Sequence, residues 1–188
     1  MDFAKRYAVV SSKISVFFAS KIGLAYGYLM LSWLYAACSQ IIIPLPFNLV
    51  PLSIQPAPLF IAAWLLGRHA VYAYGFYLTQ GALGLPFFAG HQGGLLRLMG
   101  PTGGYLLGFG VAMMLVAATR HWCGRSVILR AVQLVTAHAT AFAFGLAQLA
   151  WFVPTHKLLA AGLCPFLVGD FIIKISFGLL VLRILKSK

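Results

Sequence analysis

The chain has 188 residues, of which 62% are hydrophobic and 9% charged, with a mean hydropathy of +0.94. That much apolar surface is more than a soluble domain of this length can bury, so membrane-embedded helices are implied. The net charge of +12 is no nucleic-acid signature, because the basic residues punctuate apolar stretches instead of coating a polar face.

Residues Met1 to Gly23 form a basic, amphipathic lead. The apolar run that follows is too long for the core of a cleaved signal, so the lead is expected to be retained along the cytoplasmic interface. Six apolar segments come next. The first, about Leu24 to Ile43, stops at Pro44-Leu45-Pro46. The second, Pro56 to Leu66, ends at Gly67 and falls short of the roughly 20 residues that cross a bilayer. The third covers Ala70 to Leu85, before Pro86. The fourth is Gly103 to Thr119, the fifth Ala131 to Phe152, and the sixth Gly162 to Leu185. Pro and Gly mark nearly every boundary, as helix termination requires.

The charges orient these segments. With both termini in the cytoplasm, the inside set is Lys5, Arg6, Lys13, Lys21, Arg68, Arg120, Arg125, Arg130, Arg183, Lys186 and Lys188; only Arg97 and Lys157 lie outside. That asymmetry predicts an all-α, multi-pass protein of the plasma (inner) membrane. Residues 1–188 are expected to form one membrane-embedded domain of six spanning helices.

The external segment from Leu85 to Tyr105 does not read as a solvated loop. It holds Gly90, Gly93, Gly94, Gly100, Gly103 and Gly104, yet also Phe87, Phe88, Leu95, Leu96, Leu98 and Met99. A folded lid between the third and fourth helices explains both features. Arg97, its single charge, offers a fork that suits a carboxylate. Thr102 is placed to cap the fourth helix, whose positive end would face an anionic ligand group. The first external segment, Pro44 to Pro56, is uncharged and carries four prolines; its polar side chains are Asn48, Ser53 and Gln55. It reads equally as a stiff cavity wall and as an extended connection.

Asp170 is the only carboxylate beyond residue 2, and Lys174 follows on the same helical face. An ionisable pair at membrane depth is costly and reads as functional. His138, Thr136 and Gln148 in the fifth segment, and His91 in the lid, are weaker candidates; a histidine in a span most often satisfies itself on a neighbouring carbonyl. Tyr72, Tyr74 and Tyr77 are expected to pack the bundle or anchor at the interface. Cys38, Cys123 and Cys164 read as free thiols. Gly23/Gly27 and Ser32/Ala36 are small-residue pairs that allow close helix approach, the second being a candidate docking motif. No metal-ligand cluster, paired carboxylates, nucleophile elbow or GxxxxGK[ST] loop is present in the sequence, so no metal, cofactor, enzymatic activity or ATP hydrolysis of that type is expected.

Three stretches then stand out together: QIIIPLPFNLVPLSIQ (Gln40 to Gln55), GLPFFAGHQGGLLRLMGPTGGYLLGF (Gly84 to Phe109) and PFLVGDFIIK (Pro165 to Lys174). They resemble the biotin-binding S component of energy-coupling-factor (ECF) transporters, the BioY family, over about residues 24 to 185. The resemblance implies a six-helix membrane protein that binds biotin near its external side. It also implies a transmembrane coupling protein and a pair of cytoplasmic ATPases as partners. It maps the family's acid and lysine onto Asp170 and Lys174, its basic lid residue onto Arg97, and its lid glycines and tyrosine onto Gly93, Gly94, Gly103, Gly104 and Tyr105; Gln55 joins the set from the first external segment. Two departures are visible. The acid and lysine are four residues apart where the family pattern has three, and PFNLVP stands where that pattern has PFTPVP. Biotin suits the residues: Asp170 can accept from ureido N–H groups, while Arg97, Lys174 and the fourth-helix N-terminus compete for the valerate carboxylate. The alternatives are a proton-coupled secondary carrier of a small vitamin or organic anion, with Asp170 as proton site, and a membrane enzyme acting on lipid.

Overall fold

The computed structural model of the chain describes residues 21–43, 52–123 and 126–163. In these, α1 spans Lys21–Ser39, α2 Pro56–Leu66, α3 Arg68–Ala82, α4 Leu95–Met99, α5 Gly103–Thr119, α6 Val127–Leu149 and α7 Thr155–Gly162. A two-residue antiparallel pair, β1 (Ile42–Ile43) with β2 (Leu52–Ser53), joins the two ends of the connection between α1 and α2. Residues 44–51 of that connection lie outside the described residues.

Local chemistry explains the boundaries. Pro56 sits at the start of α2, where a missing N–H costs nothing. Gly67, at φ 60° and ψ −129°, turns the chain from α2 into α3, a backbone geometry that favours glycine. Ser126 caps α6 by accepting from the Leu129 N–H at 3.3 Å. Thr102, by contrast, makes no side-chain cap on α5. It is buried, and its backbone carbonyl accepts from Leu106 while the Gly103 N–H goes to the Gly100 carbonyl. The α5 N-terminus therefore ends in a turn of its own backbone, contrary to the sequence expectation of a threonine cap.

α2 and α5 coincide with the predicted segments, α1 and α3 begin earlier, and α6 starts at Val127 instead of Ala131. α4 and α7 were not anticipated. Gly162, expected to open the sixth segment, instead closes α7. The sixth segment beyond residue 163 lies outside the described residues. Among the described residues, two helices are long and apolar enough to cross a membrane alone, Ile22–Ser39 and Ile128–Leu149. α3 and α5, at 15 and 17 residues, are shorter than a full crossing.

Contacts show how the helices alternate. Arg120, at the end of α5, donates to the Trp64 and Leu65 carbonyls at the end of α2. At the other pole the end of α1 meets the segment after α3, where the hydroxyl of Ser39 donates to the Phe87 carbonyl. The core between holds Tyr35, Leu59, Phe60, Tyr74, Tyr77, Met113 and Val116. Tyr74 and Tyr77 are buried and stacked, and the Tyr74 hydroxyl donates to the Leu106 carbonyl at 2.8 Å. Tyr72 stays exposed. Packing is thus the role of Tyr74 and Tyr77.

Ser32 and Ala36 do not form an outward docking face. They are 0% and 7% exposed, Ala36 belongs to the core, and Ser32 accepts from the Gln80 amide of α3 at 2.9 Å. The small residues serve packing within the chain, and the outer side of α1 carries Ile22, Tyr26, Met30, Trp33 and Leu34. Arg130, counted among the inside charges, is buried with its guanidinium 5.4 Å from the Trp64 ring centroid.

Candidate ligand-binding site

The segment from Leu85 to Thr102 is folded, and two glutamines from different helices hold it. Phe88 and Gln92 pair across a tight turn through both backbone hydrogen bonds, at 2.8 and 3.1 Å. Gln40, just past α1, completes that turn. Its side-chain amide nitrogen lies 3.2 Å from the carbonyl oxygens of both Phe87 and Phe88, and its side-chain oxygen accepts the His91 N–H at 2.8 Å. Phe88 is buried against Gly81 and Tyr77. The second glutamine is Gln148 of α6. Its amide nitrogen donates to the carbonyls of Leu98 at 2.9 Å and Gly100 at 2.7 Å. Between the two anchors, the Gly94 N–H donates to the Gly81 carbonyl at 2.7 Å, with Gly94 at φ 95°.

Arg97 rides on α4 in this framework. It is half-buried, and its guanidinium has no hydrogen-bond or ion-pair partner among the described residues. Burial lowers its pKa from the ordinary range, but a guanidinium stays charged at neutral pH. A cation held clear of partners is what an anionic ligand group requires.

Gln55 is 2% exposed, and its amide nitrogen finds no hydrogen-bond partner among the described residues. The fully buried Tyr77 hydroxyl is in the same position. The two groups are neighbours, with Ser39 beside them, so the Gln55 amide and the Tyr77 hydroxyl face one another.

The remaining lid residues have packing partners. A methyl group at Gly93 would strike the Leu85 carbonyl, one at Gly103 the Leu98 carbonyl, and one at Gly104 the Phe144 carbonyl of α6. Tyr105 is buried, its ring lying on Gly145 and its hydroxyl donating to the Gly162 carbonyl at 2.8 Å. Gly103, Gly104 and Tyr105 hence sit in the α5–α6 seam, while Arg97 and Gln55 keep unused polar atoms. Asp170, Lys174, Asn48 and Cys164 lie outside the described residues.

Of the weaker candidates, His138 is buried with Nδ1 2.8 Å from the Leu134 carbonyl, the bland outcome expected of it. Thr136 likewise turns back onto the Val132 carbonyl at 2.8 Å. The His91 side chain is exposed, and it is the backbone N–H that is used. Cys123 is a buried free thiol and Cys38 a half-buried one. Among the described residues there is no His, Cys, Asp and Glu grouping fit for a metal. An apolar groove of about 540 Å³ runs beside the lid between Leu98, Met99, Leu107, Phe144, Trp151 and Phe152, with Gln148 as its polar edge. Arg97 and Gln55 do not line it, and among the described residues no cation does.

Comparison with known proteins places this geometry. Residues 12–188 match the model of the BioY family. The biotin transporter BioY of Thermotoga maritima is 32% identical over 146 residues, covering 77% of this chain and 86% of that protein. The biotin transporter BioY2 of Lactococcus lactis subsp. cremoris is 32% identical over 158 residues, covering 80% of this chain and 87% of the relative. The crystal structure of an S-component for biotin from an ECF-type ABC transporter superimposes with a TM-score of 0.76 at 21% identity, covering 89% of this chain and 93% of the other. That last likeness is one of fold.

Proposed function

The chain belongs to the BioY family, and from that premise we propose that it is the biotin-binding membrane subunit for biotin uptake, the S component of an ATP-driven ECF transporter. The family match over residues 12–188 carries the reading. The family's members are transport proteins, not enzymes. The unit is one multi-pass domain in the plasma membrane, with both ends cytoplasmic. It works with a transmembrane coupling protein and a cytoplasmic ATPase pair, and needs no cofactor beyond biotin as cargo.

In this reading Arg97 meets the valerate carboxylate, because it is the described cation without a partner on the lid. Asp170 accepts ureido N–H groups, and Lys174 keeps Asp170 charged or competes for the carboxylate. Gln55 offers its buried amide to the ureido oxygen. Gly93, Gly94, Gly103, Gly104 and Tyr105 shape the lid and its hinge on α5.

Calorimetric titration of the purified protein with biotin tests the core of the proposal. Tight binding without ATP is expected. Asp170→Asn should weaken it about tenfold or more, the worth of a hydrogen bond to a charged group. Arg97→Ala should weaken biotin far more than uncharged biotinamide. Concentrative uptake in proteoliposomes should need the coupling protein, the ATPases and hydrolysis. Uptake driven by a proton gradient in the purified chain alone would replace the proposal with a secondary carrier.

A further inference from the structure

We propose that Gln148 of α6 is a positioning residue that fixes the Arg97-bearing helix α4 in place. The inference rests, for its ligand, on the reading of Arg97 as the cation for a carboxylate.

α4 has five residues, too few for a helix to hold itself together in isolation. None of the five is buried; Leu95, Leu96 and Met99 are 60%, 84% and 64% exposed. Its apolar anchorage is Leu98, partly buried against the core. Polar ties at its two ends add to that contact. At the N-terminal end the tie is backbone to backbone, Gly94 to Gly81 at 2.7 Å. At the C-terminal end it is the Gln148 amide alone that reaches across from another helix, to Leu98 and Gly100. These two acceptors flank the last turn of α4, where carbonyls lack helical partners. The amide has two N–H groups and the two bonds account for both.

Gln148 is itself held. Its Cβ lies against Gly104 in the close α5–α6 seam, which fixes where the side chain starts. The side chain thus relays the position of α6 to the residue after Arg97 and to the third residue after it. Without the donor, the two carbonyls must turn to water or lipid, and α4 loses its only side-chain tie to α6 among the described residues.

The experiment uses the purified full chain with Gln148→Met, which keeps length and loses the donor, and Gln148→Glu, isosteric but unable to donate when ionised. The first readout is trypsin cleavage after Arg97, which needs no ligand. Either variant should be cut about tenfold faster than the parent, with its unfolding temperature little changed. The second readout is affinity. The loss should be larger for biotin than for biotinamide, and Arg97→Ala combined with Gln148→Met should lose no more than Arg97→Ala alone. Unchanged cleavage in either folded variant would overturn the proposal, as would equal losses for both ligands that add to the loss from Arg97→Ala. If Gln148→Met does not fold, Gln148→Glu decides by the same two readouts. Failure of the parent to bind biotin would sink the biotin reading but leave cleavage to decide the role of Gln148.

Discussion

The side-chain oxygen of Gln40 accepts the backbone N–H of His91 at 2.8 Å, across 51 residues of sequence. With the same side chain's amide on the Phe87 and Phe88 carbonyls, one residue after α1 satisfies three backbone groups of the Phe88–Gln92 turn. Each such bond is worth roughly 0.5–1.5 kcal/mol. Gln40→Leu should therefore raise amide hydrogen exchange over residues 86–92 by about tenfold or more, with little change in α5 and α6. Unaltered exchange in that turn would show that it holds itself.

His91 has φ 57°, a left-handed conformation that costs a non-glycine residue about 1 kcal/mol. Its side chain is exposed. His91→Gly should thus keep or slightly raise the unfolding temperature and leave biotin affinity unchanged. A clear loss of affinity in a stable His91→Gly protein would bring the imidazole back as a ligand contact.

Much of the frame was legible in the sequence, because span boundaries follow from proline, glycine and apolar length. Pro56 and Gly67 each lie at a helix end, whereas α3 stops at Ala82, short of the expected boundary at Pro86. The folded character of residues 85–105 followed from glycines mixed with large apolar residues. The anchors were less legible. Gln148 read as a weaker polar candidate in a span, and Gln40 fell inside the first apolar segment, because what they bind is backbone carbonyls set by tertiary structure. A glutamine near the external end of a span, with a glycine-rich segment at the same level, was the available signal. Ser32 and Ala36 failed in the opposite sense. Small-residue spacing allows close approach to any neighbouring helix, and here the neighbour is α3 of the same chain.

Ser32→Leu accordingly should not behave as a docking mutant with intact binding. Ser32 is fully buried and bonded to Gln80, so a leucine there overpacks the α1–α3 contact at about 1–3 kcal/mol. The expected outcome is a lower unfolding temperature, with binding and uptake reduced together. A protein that keeps full stability and biotin affinity while losing only uptake would restore the docking role.

Two glycines make a contrasting pair. A methyl group at Gly104 would meet the Phe144 carbonyl, whereas nothing lies within 4 Å of one at Gly75 on the exposed side of α3. Gly104→Ala should destabilise by about 1–3 kcal/mol. Gly75→Ala should stabilise by roughly 0.5–1 kcal/mol through helix propensity. Thermal unfolding in detergent compares them, and equal effects would contradict the close α5–α6 seam.

Tyr105 separates a packing role from a binding one. Its hydroxyl donates to the Gly162 carbonyl at 2.8 Å, and its ring rests on Gly145, so it joins α5 to both α6 and α7. Tyr105→Phe keeps the ring and leaves the buried Gly162 carbonyl without that donor. The cost should be about 1–3 kcal/mol, the penalty for stranding a buried acceptor. It should show as faster hydrogen exchange in α7 and a lower unfolding temperature, while affinity for biotin stays within about twofold when measured well below that temperature. A tenfold weaker affinity with stability and α7 exchange unchanged would mean that the hydroxyl turns to the ligand, making Tyr105 a direct contact as the family resemblance implies.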